Sequence, residues 1–251
     1  MRPGASSGAY ETLLPRQELT SVPYANFALD AGMLDGLDSG QLYTKAQVDA
    51  LLVEYDDRID ALEDLLASVS LENGGQDFVF ENVNVHIRSG SGATDGAVNG
   101  RGNLIVGYNE DAGSDAYRAG SHNLVVGPEH SYASYGGFVA GYENTVSGPF
   151  ASVSGGLGNY ATGEKSSIGG GQANQANGSS SSVSGGNQNI AYGQWSSISG
   201  GSDNMANGFG SSISGGLGNH ASGDVSTIGG GHNVSVGDVF DWAAGDLFQD
   251  E

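Results

Sequence analysis

Six consecutive segments of the chain start at the same point of a 15-residue cycle: ASVSGGLGNYATGEK, SSIGGGQANQANGSS, SSVSGGNQNIAYGQW, SSISGGSDNMANGFG, SSISGGLGNHASGDV and STIGGGHNVSVGDVF. A fixed short period marks a stack in which each unit is one coil, unable to bury its own apolar residues alone. One branched aliphatic recurs, at Val153, Ile168, Val183, Ile198, Ile213 and Ile228. A glycine column follows (Gly156, Gly171, Gly186, Gly201, Gly216, Gly231), then an asparagine column (Asn159, Asn174, Asn189, Asn204, Asn219). Alanine stands two residues later (Ala161, Ala176, Ala191, Ala206, Ala221), and a second glycine two beyond that (Gly163, Gly178, Gly193, Gly208, Gly223).

Each column has a physical cause. Stacked strands bring equivalent residues to about 4.8 Å from one another. Side chains alternate between faces, so Val153 points inward while Ser152 and Ser154 point outward. If the face shared by Asn159, Ala161 and Gly163 is internal, the asparagines stack as an amide ladder, each bonded to the next. The glycines mark positive φ or a close backbone approach. Fifteen residues suit two short strands and two tight turns, whereas a three-sided hexapeptide coil needs about eighteen. The interior is therefore narrow, with one Val or Ile and one Ala per coil. Burying a Val or Ile contributes roughly 1.5–3 kcal/mol, while ordering each residue costs about 1–2 kcal/mol. A lone roll is underpowered, and several rolls are expected to pack side by side.

Upstream the repeat degenerates. Residues 136–150 read as a coil of 15, residues 123–136 as one of 14, and GNLIVGYNE (102–110) as the first, separated from the second by the excursion DAGSDAYRAGSH. Atypical terminal coils suit a solenoid's need for caps. At the other end, Val239, Phe240, Trp242, Leu247 and Phe248 bring bulky apolar residues expected to close the roll.

A different pattern occupies residues 44–69. Val48, Leu52, Tyr55, Ile59, Leu62, Leu66 and Val69 alternate steps of four and three, an a/d seam over three heptads. Thr44 and Gln47 form a capping-box pattern, with Tyr43 and Val48 placed as a hydrophobic staple. No partner helix is evident in the chain, so the seam predicts a parallel coiled coil, with Arg58 at g and Glu63 at the following e available for an interchain pair. Two strands or three stay open on the heptads alone. Before the helix, Ala25, Ala28 and Ala31 are spaced for a small helical turn. After it, DFVFENVNVHI (77–87) alternates as a strand, and a glycine-rich stretch leads into the roll. The organisation read from these patterns is an attachment or linker segment (1–43), a coiled-coil helix (44–72), a strand and transition (73–101), the roll (102–236) and a C-terminal cap (237–251).

Of 251 residues 44 are glycine, none is cysteine, and the net charge is −21. The glycine is periodic, which argues against disorder. Beyond Arg118 the only Lys or Arg is Lys165. Such a surface repels nucleic acid and anionic membrane, and no stretch is apolar enough to span a bilayer. The N-terminal residues hold no signal-peptide core, so the expected location, cell surface or extracellular, is not encoded there; a virion tail fibre is the alternative. Without cysteine there is no disulfide support.

The phrase SSVSGGxxNxAxG resembles the YadA-like head repeat of trimeric autotransporter adhesins, in which Ser-Val-x-x-Gly is followed by small residues at alternate positions. The resemblance covers about 102–236. It implies a left-handed parallel β-roll, three chains side by side, next to a trimeric coiled coil. The asparagine column and the period of 15 depart from the commonest form of that repeat, the stalk-like helix precedes the head, and the family's C-terminal membrane barrel is not expected here. Separately, LPRQELTSVPYANFALDAGMLDG resembles a linker of large bacterial surface proteins, with the expectation that Met1 begins a shortened version of a longer one.

The fold expectation is thus mainly β, a left-handed parallel β-roll of about 15-residue coils preceded by a trimeric α-helical coiled coil. Chemistry needs convergent groups, and the sequence offers few. His86, His122, His130, His220 and His232 fall in unrelated columns and read as exposed turn residues, and the serines have no paired base. No catalytic, cofactor or metal residue is assigned. Glu110, Asp111 and Asp115 in the excursion are oxygen-rich enough to consider for calcium, although their spacing fits no EF-hand and a solvated loop explains them. The outward column Ser152, Ser167, Ser182, Ser197, Ser212 and Thr227 is a regular hydroxyl ladder, of the kind that can bind ice or glycans. The expected function is a non-enzymatic homotrimeric surface adhesin or fibre-tip protein that attaches to a cell, glycan or matrix ligand. A phage-type tail fibre is the nearest alternative, and a β-helix enzyme or ice-binding protein is further off. Binding is expected in the excursion 111–122, the histidine- and tyrosine-bearing turns or the C-terminal cap.

Overall fold

A computed structural model describes residues 33–34, 37–38, 43–111, 113 and 117–245. The chain divides into two units, residues 1–84 and 85–251. The alanine-spaced segment at 25–31 lies outside the described residues.

In the first unit, β1 (Met33–Leu34) pairs antiparallel with β2 (Leu37–Asp38). Helix α1 (Lys45–Leu66) starts at the expected cap: the Gln47 amide donates to Thr44 Oγ1 at 3.3 Å, and the Thr44 amide donates to Gln47 Oε1 at 2.7 Å. Together they satisfy two of the donors that a helix start leaves open. None of the helix's residues is buried. The sequence pattern carries the helix to residue 72, but α1 ends at Leu66 and Val69 leaves the seam. Strand β3 (Val69–Glu72) instead turns back on β4 (Asp77–Phe80) as a hairpin, with Val69 opposite Phe80 and Glu72 opposite Asp77. The reason lies in the turn. Asn73, Gly74 and Gly75 all take positive φ (48°, 69° and 89°), which Asn and Gly accept readily and a helix cannot use. The strand expected over 77–87 stops at Phe80, because β3 offers no partner residue beyond Val69.

In the second unit the chain winds as a parallel β-solenoid. The strands are β5 (Leu104–Val106), β6 (Leu124–Val126), β7 (Ser131–Tyr132), β8 (Phe138–Ala140) and β9 (Thr145–Val146). Thereafter two short strands alternate in each coil, from β10 (Ser152–Val153) to β22 (Trp242–Ala243). They form a ten-stranded and an eight-stranded parallel sheet. The register fixes the coil lengths: Leu104 pairs Leu124, Leu124 pairs Phe138, Phe138 pairs Ser152, and Ser152 pairs Ser167. The steps are therefore 20, 14, 14 and then 15. The coil read from sequence as 15 residues at 136–150 has 14, because VAGYEN turns its corner with one residue fewer than VSGGLGN. The ladder also continues past residue 236, since Trp242 and Ala243 pair with Thr227 and Ile228.

The core is a set of columns. Val125, Val139, Val153, Ile168, Val183, Ile198, Ile213 and Ile228 are buried, as are the alanines from Ala161 to Ala221. The asparagines are buried too and do more than stack. Asn144 Oδ1 accepts the Asn159 backbone amide at 2.8 Å and Asn159 Nδ2 at 3.1 Å. Asn159 Nδ2 also donates to Gly155 O in its own coil (3.2 Å) and Gly171 O in the next (3.1 Å). One side chain thus ties three coils and satisfies corner carbonyls that would otherwise be buried unpaired. The two glycine columns have separate causes. Gly156 takes φ +86°; Gly163 does not need positive φ, but a Cβ there would lie 2.1 Å from Gly178 O. An additional inward column was not anticipated: Ser166, Ser181, Ser196, Ser211 and Ser226, continuing Ala151. Ser211 Oγ donates to Gly208 O at 2.8 Å; the other four hydroxyls have no hydrogen-bond partner among the described residues.

Candidate functional site

The repeat columns serve the scaffold, so distinctive chemistry lies where the period breaks. The 20-residue first step holds the excursion, and a half-buried arginine organises it. Arg118 donates from Nη1 to Asn109 O (2.7 Å), and from Nη2 to Glu110 O and to Asp111 Oδ1 (3.0 Å). The Tyr132 hydroxyl donates to Asn109 Oδ1 at 3.2 Å, closing the turn from the neighbouring coil. Of the acidic trio weighed for calcium, Asp111 pairs with Arg118 and Glu110 supplies its main-chain carbonyl; Asp115 lies outside the described residues. Among the described residues no three His, Cys, Asp or Glu side chains form a metal-sized group.

The histidines do not behave as one class. His130, expected at an exposed turn, is buried in the asparagine column. Its Nδ1 accepts the Asn144 amide at 3.1 Å, and its Nε2 lies 3.0 Å from Val126 O, so the proton sits on Nε2. Imidazole here imitates the asparagine's paired acceptor and donor. The half-buried His220 Nε2 meets Asn207 Nδ2 at 3.0 Å on the eight-stranded sheet, and exposed His232 neighbours Asn233.

His122 and His86, far apart in sequence, line one cleft. The segment 85–103 folds back over the first coils. There the Ser89 amide donates to His122 Nε2 (3.1 Å), which leaves His122 Nδ1 to donate to Thr94 O (3.2 Å). Asn99 reinforces the loop: its Nδ2 donates to Ser89 O (3.0 Å) and its amide to Ser121 Oγ (3.0 Å). Gly102 is required beneath it, for a Cβ there would fall 2.6 Å from the Ser89 nitrogen. The resulting cleft is about 540 Å³ and is lined by Val85, His86, Ile87, Arg88, Ser89, Gly90, Gly92, Ala93, Thr94 and His122. The sequence reading passed over Arg88 and this loop. The available signal was a glycine-rich run carrying two arginines, Arg88 and Arg101, in an acidic chain.

The outer faces of the two sheets differ. The hydroxyl ladder pairs in register, as with Ser152 opposite Ser167, and its members are half-buried. The opposite sheet shows larger side chains, among them Tyr160, Ile190, Met205 and His220. The charged residues of the coils sit in the turns. At one such turn the Glu129 carboxylate accepts from the Tyr142 hydroxyl. That bond, with partial desolvation and the charges of Glu129 and Glu143, raises the phenol above its ordinary value of 10.0. Among the described residues no helix is long and apolar enough to cross a membrane. No protein-family model matches the chain, and no curated protein matches it.

Proposed function

We propose that this chain is a non-enzymatic homotrimeric surface adhesin or fibre-tip protein. In this reading α1 gathers three copies as a parallel coiled coil, and three left-handed rolls lie side by side to attach to a cell, glycan or matrix surface. The protein works outside the cell, needs no cofactor, and neither inserts in a membrane nor binds nucleic acid. The observation that carries the reading is the helix seam. Val48, Leu52, Tyr55, Ile59, Leu62 and Leu66 are all 41–56% exposed, in heptad order, on a helix with no buried residue. Helices in proteins draw most of their stability from packing an apolar face, and burying a fully exposed residue of this kind contributes roughly 1.5–3 kcal/mol, part of which the half-exposed seam still has to gain. The roll supports a display role in another way. Its interior is filled by repeat columns, which leaves turns and sheet faces for recognition.

Sedimentation equilibrium tests the assembly. The expected mass is three times the 25.4 kDa of one chain, and Leu52→Asp with Ile59→Asp is expected to reduce it to a single copy. A wild-type chain that stays monomeric overturns the proposal.

A further inference from the structure

We infer that the cleft between the 85–94 loop and His122 is a binding site for one anionic group, carboxylate or sulfate, carried on a saccharide. The inference starts from charge. Asp and Glu outnumber Lys and Arg by 29 to 8 in this chain, yet the cleft lining contains Arg88 and no carboxylate at all. Arg118 and Lys165 are each tied to a neighbouring acid. Arg88 makes no ion pair among the described residues and keeps its forked donors free for a planar anion. In the loop beside it, the amides of Gly90, Gly92 and Ala93 donate to no acceptor among the described residues. Main-chain donors left open next to a guanidinium are a usual chemistry of oxyanion recognition.

The cleft also has an apolar wall, since Val85 and Ile87 are 57% and 42% exposed at its side. A ligand with an acid at one end and a ring of C–H groups at the other matches both walls. The volume, about 540 Å³, lies within the range of roughly 300–1,000 Å³ usual for small-molecule sites. The loop is held before any ligand arrives: Ser89 is buried, its amide is fixed by His122, and its carbonyl is fixed by Asn99. Preorganisation of this kind lowers the ordering cost of binding. The net charge of −21 sets the class more narrowly. Remote acids are screened beyond about 8 Å at physiological salt, so a single acid can reach Arg88, whereas a long polyanion would run over the acidic coils. The saccharide half of the assignment rests on the attachment reading above; the anion half does not.

The test is an amide NMR titration of the full chain with glucuronate, glucose 6-sulfate, glucose and free sulfate. Saturable shifts at Gly90, Gly92 and Ala93 are expected with glucuronate or glucose 6-sulfate, and the stronger of the two identifies the acid. Glucose is expected to give none, and free sulfate to bind at least tenfold more weakly. Arg88→Gln should weaken binding about tenfold or more with the rest of the spectrum unchanged, while Trp195→Ser should leave it intact. Equal binding of glucose, or binding indifferent to Arg88→Gln, overturns the site. Free sulfate as strong as the sugar acid overturns the saccharide half. No binding by any of the four overturns the whole inference, and the mass measurement of the assembly stands or falls separately.

Discussion

Leu52 and Ile59 in α1 and Ile198 and Ile213 in the roll are similar side chains in opposite circumstances. The first pair is 55% and 50% exposed, and the second pair is 1% exposed. The difference comes from period. A heptad lays its apolar residues in a stripe along a cylinder, which a single helix has no means of covering. A 15-residue coil lays its aliphatic under the next coil's aliphatic, so the chain covers itself as it grows. The helix seam is therefore left open within one chain, which is what the proposed assembly would cover, whereas the roll column is closed by the chain itself. Variants in the two places should part company.

The largest effect is expected at Ile198. An aspartate there would place an unpaired charge in a column whose neighbours, Val183 and Ile213, are both fully buried. Uncompensated buried charge costs more than about 4 kcal/mol, enough to break the stack at that coil. Urea unfolding followed by far-UV circular dichroism should show a lower midpoint and a split or shallower transition, because the two half-stacks lose their shared neighbour. An unaltered transition would mean the column does not carry the roll. The seam variant, Leu52→Asp with Ile59→Asp, should do the reverse. The proposed assembly should dissociate while the strand signal persists at 25 °C, against the reading of a lone roll as underpowered, since the aliphatic and asparagine columns are already buried within one chain. Loss of the strand signal on dissociation would instead make the roll as dependent on copies as the helix.

The sequence was legible where chemistry repeats and opaque where two roles take the same residue type. The aliphatic, asparagine and glycine columns each need one kind of side chain, so their recurrence announces them. Serine serves both an inward column (Ser166 to Ser226) and the outward ladder (Ser167 to Ser212), and the two sit side by side. Ala151 at the head of the inward column and Thr227 at the end of the ladder are all that distinguishes them by type. His130 escaped because its coil has 14 residues; aligning GPEH with GYEN would have put it on Asn144. The hairpin at 69–80 was hidden by a heptad pattern that happens to include Val69, although Asn73-Gly74-Gly75 gave the contrary signal. The cleft was out of reach altogether, since residues 85–94 meet His122 only through the fold.

A smaller effect, of opposite sign, separates what the coil geometry demands from what particular turns contain. Several turn positions in each coil take positive φ, and one of them is filled by very different residues. Gly210 occupies it at +62°, while Phe150, Trp195 and Val225 occupy it at +57°, +60° and +56°. For a β-branched residue this region costs roughly 1–2 kcal/mol relative to glycine. Val225 is 44% exposed and recovers little of that by burial within its chain. Val225→Gly is expected to raise the urea midpoint by an amount equivalent to about 1 kcal/mol, less the glycine's greater unfolded-state entropy. A fall in stability would place a partner surface on Val225 and move that turn to the helix's side of the comparison.

The smallest expected effect lies at Tyr142, where the roll's surface rather than its core sets a property. Its phenol is raised by the hydrogen bond to Glu129, then by desolvation and by the charges of Glu129 and Glu143. A raised acid is one whose neutral form the folded chain prefers. Its contribution is therefore complete below the ordinary value of 10.0 and is lost as pH climbs through the folded value. Glu129→Gln removes a charge and weakens the acceptor, so Tyr142 should ionise at lower pH, seen as an earlier carbon chemical-shift transition in a tyrosine-labelled sample. Because the ring is 43% exposed, added salt should narrow the gap between wild type and variant. A transition unmoved by Glu129→Gln would show that the two side chains, one coil apart, do not share a proton-bearing bond, and that the turn is held by its backbone alone.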